Sequence, residues 1–173
     1  MYDLKSIVAF RETKGRQKLV LDTNLLILLF VGYFDAEHID SCPRLNAFTK
    51  SDYFLLLEIL KNFEPEIVIT PHVLSELSNL SKRKMALDDR MQDYFTMVIE
   101  KLKAFHEEHI PLIDLIGLDL NAIVSIGFSD ITIIEAAKKL GAIILSNDFD
   151  MVNHALGQSL WAINFTNIRT AGV

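Results

Sequence analysis

The sequence predicts an α/β fold: a three-layer α/β/α arrangement around a mainly parallel central sheet. Two observations carry that expectation. Short apolar runs of strand length alternate with longer segments of helical periodicity along most of the chain. The strand runs are apolar throughout rather than alternating, as in a sheet covered on both faces. The 173 residues suit one domain over the whole chain, with a core from about 18 to 165. No internal repeat, low-complexity tract or Pro/Gly/Ser-rich linker divides it.

The elements follow in order. Lys18–Asp22, KLVLD, reads as a buried strand ending in a polar residue, and Asn24–Phe34 as an apolar helix. Ala47–Phe63 is amphipathic at helical spacing. Glu66–Thr70, EIVIT, is a β-branched strand feeding a helix with Pro71 in its first turn. Met85–His106 predicts a long helix whose stripe is Met91, Tyr94, Phe95, Val98, Leu102 and Phe105. His109–Leu115 is read as a strand with Pro111 near its start. Ser129–Leu140 predicts a helix capped by Ser129 and stopped by Gly141. Ala142–Leu145 is a strand, Asp148–Leu156 a short helix ending near Gly157, and Leu160–Phe165 a last strand.

Composition excludes several classes. Half of the residues are hydrophobic and 23% are charged, too apolar for disorder and too evenly mixed for a fibre. The formal net charge of −6 argues against coating nucleic acid by bulk charge, but not against a pocket that concentrates acid to hold metal. The single cysteine, Cys42, cannot form an internal disulfide and reads as a small apolar residue. The first 18 residues contain no secretory signal. Leu25–Gly32 is far shorter than the roughly 20 residues of a membrane span, so no membrane association is expected, and a cytoplasmic location is.

The placement of the acids is more informative than their number. Asp22 ends the first strand, and Asp148 follows the AIIL strand within SNDFD. Both fall at the carboxyl edge of a parallel sheet, where ligands bind. Glu76 is on the helix after EIVIT, and Asp130 opens the helix SDITIIEAAKKL. Each acid alone has an ordinary reading: a helix cap for Asp22, a surface position for Glu76, a favourable N-terminal charge for Asp130, turn residues for Asp148 and Asp150. Together they form an oxygen-only ligand set beside apolar segments, which suits Mg²⁺ or Mn²⁺ rather than zinc.

The same residues resemble the PIN domain family. Asp22-Thr23-Asn24 after a strand is similar to the family's opening motif, and Val73–Leu77 with Glu76 to its V-x-x-E-L pattern. Asp130, Ile133, Ala136 and Ala137 match D-x-x-I-x-x-A-A, and Ser146-Asn147-Asp148-Phe149-Asp150 resembles its T-x-D-x-D segment. Ser146 stands where Thr is more common, and Met151 where Phe is. The likeness runs from about Lys18 to Phe165. It implies a metal-dependent endoribonuclease that leaves a 5′-phosphate and a 3′-hydroxyl, and it raises the expectation of a toxin from a type II toxin–antitoxin pair. Asp22, Asp148 and Asp130 are the expected ligands, with Glu76 acting through water or on the nucleophile. Asn24 and Ser146 are expected to hold carboxylates or water, with Asp150 nearby but not a ligand.

RNA needs positive charge beside such a pocket, and Lys82, Arg83 and Lys84 form the densest cluster. Arg11, Lys14, Arg16 and Lys18 make a second basic stretch, and Lys138 and Lys139 a third; all have an ordinary reading as solvated surface. Of the five histidines only His72 is near an expected ligand. The Met85 helix and the Phe34–Phe63 region are candidates for a homodimer or antitoxin contact, or simply core. A haloacid-dehalogenase-type phosphatase would need a second Asp where Asn24 stands, and a response-regulator receiver would need adjacent acids. The remaining alternative is a PIN fold kept as a non-catalytic RNA- or protein-binding module, which the four retained acids disfavour.

Overall fold

The computed structural model describes residues 18–61, 67–82, 85–115 and 120–171. Five parallel strands form one sheet: β1 (Leu19–Leu21), β2 (Ile67–Ile69), β3 (His106–Glu107), β4 (Ile143–Ser146) and β5 (Ala162–Asn164). Their order is β3-β2-β1-β4-β5. The connections from β1 to β3 advance one way across the sheet, and those from β3 to β5 the other. With right-handed crossovers, the intervening helices therefore cover both faces. The expected α/β/α architecture is the observed one. The order reverses between β1 and β4, which pair in register at Leu21 and Leu145. The crevice at such a reversal opens above the carboxyl ends of the strands.

Helix α1 (Thr23–Asp35) is the centre of the molecule. Every residue from Leu25 to Val31 is fully buried. A helix apolar on all sides must be covered on all sides, and α2 (Lys50–Lys61), α3 (Pro71–Ser81) and α4 (Met91–Leu102) all pack on it. Thr70 caps α3 with its hydroxyl, accepting from Val73 N at 3.3 Å, and Pro71 occupies the first turn, as its fixed φ favours. Helices α5 (Leu112–Leu115), α6 (Leu120–Leu140), α7 (Phe149–Gly157) and α8 (Phe165–Ala171) complete the chain.

Three expectations are corrected. The helix expected over Met85–His106 begins only at Met91, because Ala86 (φ 51°) and Asp88 (φ 40°) adopt left-handed backbone before a short 3₁₀ turn at Asp88–Arg90. The strand expected at His109–Leu115 is instead His106–Glu107, which pairs with β2. It is an exposed edge strand of polar residues, so it carries no apolar signal; Pro111 precedes α5. The Ser129 helix is preceded by a separate helical stretch from Leu120, divided from it by the non-helical backbone of Gly127 (φ 86°, ψ 170°), and the expected cap is not made by the Ser129 side chain. Ser129 there contributes its carbonyl, which accepts from Thr132 Oγ1 at 2.8 Å. Gly141 does end α6, with φ 61°. Helix α8 was not foreseen; it starts directly after β5, where Asn164 Oδ1 accepts from Thr166 N at 2.9 Å.

Helices α1 and α2 approach closely at Gly32. A Cβ there would be 2.3–2.6 Å from three ring carbons of the buried Tyr53. Alanine would normally favour a helix interior over glycine by about 1 kcal/mol. Here the clash reverses the sign. Gly32→Ala is expected to cost about 1–3 kcal/mol in chemical denaturation, and adding Tyr53→Leu to restore part of it. A stabilised Gly32→Ala protein would contradict this packing.

Candidate functional site

Asp22 sits at the reversal point, where its buried carboxylate serves two elements. Oδ1 caps α1, accepting from Leu25 N at 2.7 Å. Oδ2 accepts from the Ser146 hydroxyl at the end of β4 and from Asn147 N at 2.9 Å. Asp22 N donates to Leu145 O at 3.2 Å. The Ser146 hydroxyl also accepts from Asp148 N at 2.8 Å, so one side chain aligns both strand-end acids. Asp148 caps α7, its Oδ1 accepting from Met151 N at 2.9 Å. Both acids thus fulfil the capping role as well as lining the edge.

Glu76 reaches the same edge from α3. Its Oε2 accepts from Thr23 Oγ1 at 2.7 Å, next to Asp22. Asp130, half-buried on α6, completes the group. Thr132, two residues beyond it, shares a 3.0 Å hydrogen bond with Thr70, which fastens α6 to the end of β2. Burial pushes the Asp130 carboxyl up to about 7, and the charges of Asp22, Asp148 and Glu76 push in the same direction. Burial likewise raises Asp22 to about 6 against the lowering effect of its three donors, with Asp148 adding to the rise. Four carboxylates are therefore within electrostatic reach of one another.

The donor chemistry suits a hard divalent cation, whose charge would relieve that repulsion. As arranged, no group of three or more His, Cys, Asp or Glu side chains among the described residues is closed enough to hold a metal ion. Asp22 and Asp148 each direct Oδ1 at a helix N-terminus, and Glu76 accepts from Thr23.

The other expected residues are distributed as follows. Ser146 is at the centre of the network. Asn24 does not touch a carboxylate; its Oδ1 accepts from Arg44 Nη2 at 2.8 Å. Asp150 is exposed in the first turn of α7 and does not figure among the acids acting on Asp22 or Asp130. Lys82 is exposed just past the end of α3. Arg83 and Lys84 lie outside the described residues, as do Arg11, Lys14 and Arg16. Lys139 pairs with Glu108 at 2.7 Å and Lys138 with Glu135 at 3.6 Å. His72 is half-buried one turn before Glu76.

Sequence reasoning passed over Thr23, the hydroxyl that orients Glu76, although it stands inside the DTN motif. It also passed over Arg44, which comes from a 3₁₀ turn at Pro43–Leu45 with no periodicity to mark it. No known family's sequence profile matches the chain, and no curated protein matches it. Among solved structures the chain is similar to a domain of a functionally unknown protein from Methanocaldococcus jannaschii DSM 2661. The identity is 18% and the TM-score 0.45, over 86% of this chain and 90% of that one. A likeness of that degree carries no argument about function. Among the described residues, no helix is long and apolar enough to cross a membrane.

The raised carboxyls predict a pH dependence of stability. A group whose folded pKa exceeds its unfolded value near 3.8 binds protons more tightly when folded, so stability falls as pH rises through the window. The metal-free protein is expected to lose stability between about pH 4 and 7. Asp130→Asn is expected to flatten that slope and raise the melting temperature at pH 8 by a few degrees. Thermal melts across pH test this; a wild-type stability that climbs over the same range would refute it.

Proposed function

We propose that this chain is a metal-dependent endoribonuclease that hydrolyses RNA phosphodiester bonds at the edge formed by Asp22, Glu76, Asp130 and Asp148. The observation that carries the reading is the gathering of these acids at the sheet's reversal point, where burial first and neighbouring carboxylates second push the ionisation of Asp130 and Asp22 upward. The order and context of the acids also match the PIN pattern described above. A Mg²⁺ or Mn²⁺ ion held by Asp22, Asp148 and Asp130 would polarise the scissile phosphate and lower the pKa of a water.

The chain's own residues prepare that chemistry. Ser146 and Asn147 both donate to Asp22, so the two strand ends cannot drift apart without losing both bonds, and the Ser146 hydroxyl also accepts from the Asp148 amide. Thr23 aims Glu76 toward the same edge, where it can orient an attacking water. Arg44 brings a positive charge to Asn24, two residues from Asp22, which could meet a phosphate beside an otherwise acidic surface. The non-catalytic alternative would have no use for four uncompensated carboxylates in one place. A role as a toxin restrained by an antitoxin follows from the resemblance, and co-purification with the product of an adjacent small gene would support it.

The test is incubation with a pool of cellular RNAs. Cleavage is expected with Mg²⁺ or Mn²⁺ and none in excess chelator. Asp22→Asn should reduce the rate by about a hundredfold or more, and Ser146→Ala by about 10- to 100-fold, while Asp150→Asn stays near wild type. Cleavage that persists in chelator, or that Asp22→Asn leaves intact, would overturn the reading.

A further inference from the structure

Arg44 is a cation for which the chain supplies no acid. It stands on the 3₁₀ turn at Pro43–Leu45 and is half-buried. Among the described residues its guanidinium makes no ion pair; Nη2 donates to Asn24 Oδ1 at 2.8 Å, and Nε is buried without a partner. The other described arginines are matched differently: Arg90 holds Asp35 at 3.1 Å and Arg169 holds Asp52 at 3.4 Å. Asn24 keeps the Arg44 cation beside the acidic edge. It lies in the first turn of α1, two residues from Asp22 and next to Thr23, whose hydroxyl donates to Glu76 at 2.7 Å. A half-buried cation with an unmatched donor carries a desolvation cost. Pairing with one of the nearby acids would relieve it. The Asn24 amide instead directs the guanidinium and leaves its charge uncancelled.

We propose that Arg44, held by Asn24, anchors a phosphodiester group of the bound strand, and that Asn24 acts on the substrate through Arg44 rather than on the acids. The identity of the anion rests on the nuclease reading. Acids without a cation and a guanidinium without an acid, side by side, fit the two halves of one ligand: a polyanionic strand together with its metal. A guanidinium suits the phosphate half. It presents parallel donors in the spacing of two phosphate oxygens and stays charged at any working pH. A contact to the backbone is made as soon as the strand is bound, and it carries no base information. Arg44 therefore sets the affinity of the edge and its salt dependence, and leaves the choice of base and the chemical step to other groups. Asn24 is the positioning residue, because its amide oxygen fixes where that charge is presented.

The experiment measures anisotropy of a labelled RNA of about a dozen nucleotides from low to high salt with Ca²⁺ present, and steady-state cleavage of the same RNA in Mn²⁺. Arg44→Gln keeps much of the stem and a donor for Asn24 but removes the charge. It should weaken binding by roughly 10- to 100-fold. It should also lower the slope of log affinity against log salt by about 0.7, the share of one phosphate on a single strand. In cleavage KM should rise by a similar factor while kcat stays within about threefold. Arg44→Lys, which keeps both stem and charge, should restore the slope and only part of the affinity. Asn24→Ala should weaken binding without changing the slope. No binding by the wild type, an unchanged slope in Arg44→Gln, or a loss of kcat at unchanged KM would overturn the proposal. So would an Arg44→Lys protein as weak as Arg44→Gln with the same lowered slope, since the charge would then not be what acts. Arg44-dependent binding without any cleavage would sink the nuclease reading and leave the anchor standing; metal-dependent cleavage with an unchanged slope in Arg44→Gln would do the reverse.

Discussion

The carboxylate of Asp22 is the constraint on which the arrangement depends. It is buried at the point where the sheet reverses its order, and it joins three things: the end of β1, the start of α1 and the end of β4. A buried acid is costly unless its oxygens are satisfied. Here three donors satisfy them, two from backbone and one from Ser146. Those bonds hold β1 and β4 in step at their carboxyl ends, beyond the last ladder bond. They also fix where Asp148 begins, since the same Ser146 hydroxyl accepts from its amide. The electrostatic cost remains, and appears as the upward shift of Asp22 and Asp130.

Tolerating that cost requires stability from elsewhere, and α1 is its source. Seven consecutive residues of that helix are fully buried, which is roughly 1.5–3 kcal/mol of hydrophobic gain for each large side chain as an upper bound. The helix starts beside the buried acid and is capped by it. Site and core are thus contiguous: Thr23, the residue after Asp22, is both the first turn of the core helix and the hydroxyl that positions Glu76. A change in the packing of α1 is therefore transmitted to the acidic edge without any intermediary.

How much of this the sequence discloses follows from the signals available. Buried parallel strands announce themselves by continuous apolar runs, so β1, β2, β4 and β5 were legible, and with them the edge on which Asp22 and Asp148 fall. The edge strand His106–Glu107 has no buried side to pattern its residues and was not. The late start of α4 depends on left-handed backbone at Ala86 and Asp88, which neither residue type advertises. Asp22, Asp130 and Asp148 could be picked out because each follows a recognisable strand or opens an expected helix, and Glu76 because it falls in the V-x-x-E-L pattern on the helix after EIVIT. Their orientation was a different matter. Asn24 stands in the motif with Asp22, yet its amide oxygen is committed to Arg44, which arrives from a turn 20 residues on. Contacts of that kind are made by tertiary folding and leave no local pattern.

The partners chosen for the acids separate structural carboxylates from those at the edge. Asp35 is paired with Arg90, Asp52 with Arg169 and Glu108 with Lys139. Asp35 and Glu108 are correspondingly held below the usual carboxylate range by those cations. Asp52 is as buried as Asp22, and still has a guanidinium within 3.4 Å as well as the Thr49 amide and hydroxyl. At the edge the described donors are of another kind: hydroxyls from Ser146 and Thr23, and backbone amides. Neutral donors fix the direction of a carboxylate without cancelling its charge. A protein needing only a capped helix and a tied strand end could have used a lysine here, as it did elsewhere, and lowered the cost. Leaving the negative charge oriented but uncompensated makes physical sense where the compensating charge comes from outside the chain. Under the proposed function a divalent cation would supply that charge, and the choice of donors supports that reading apart from any resemblance.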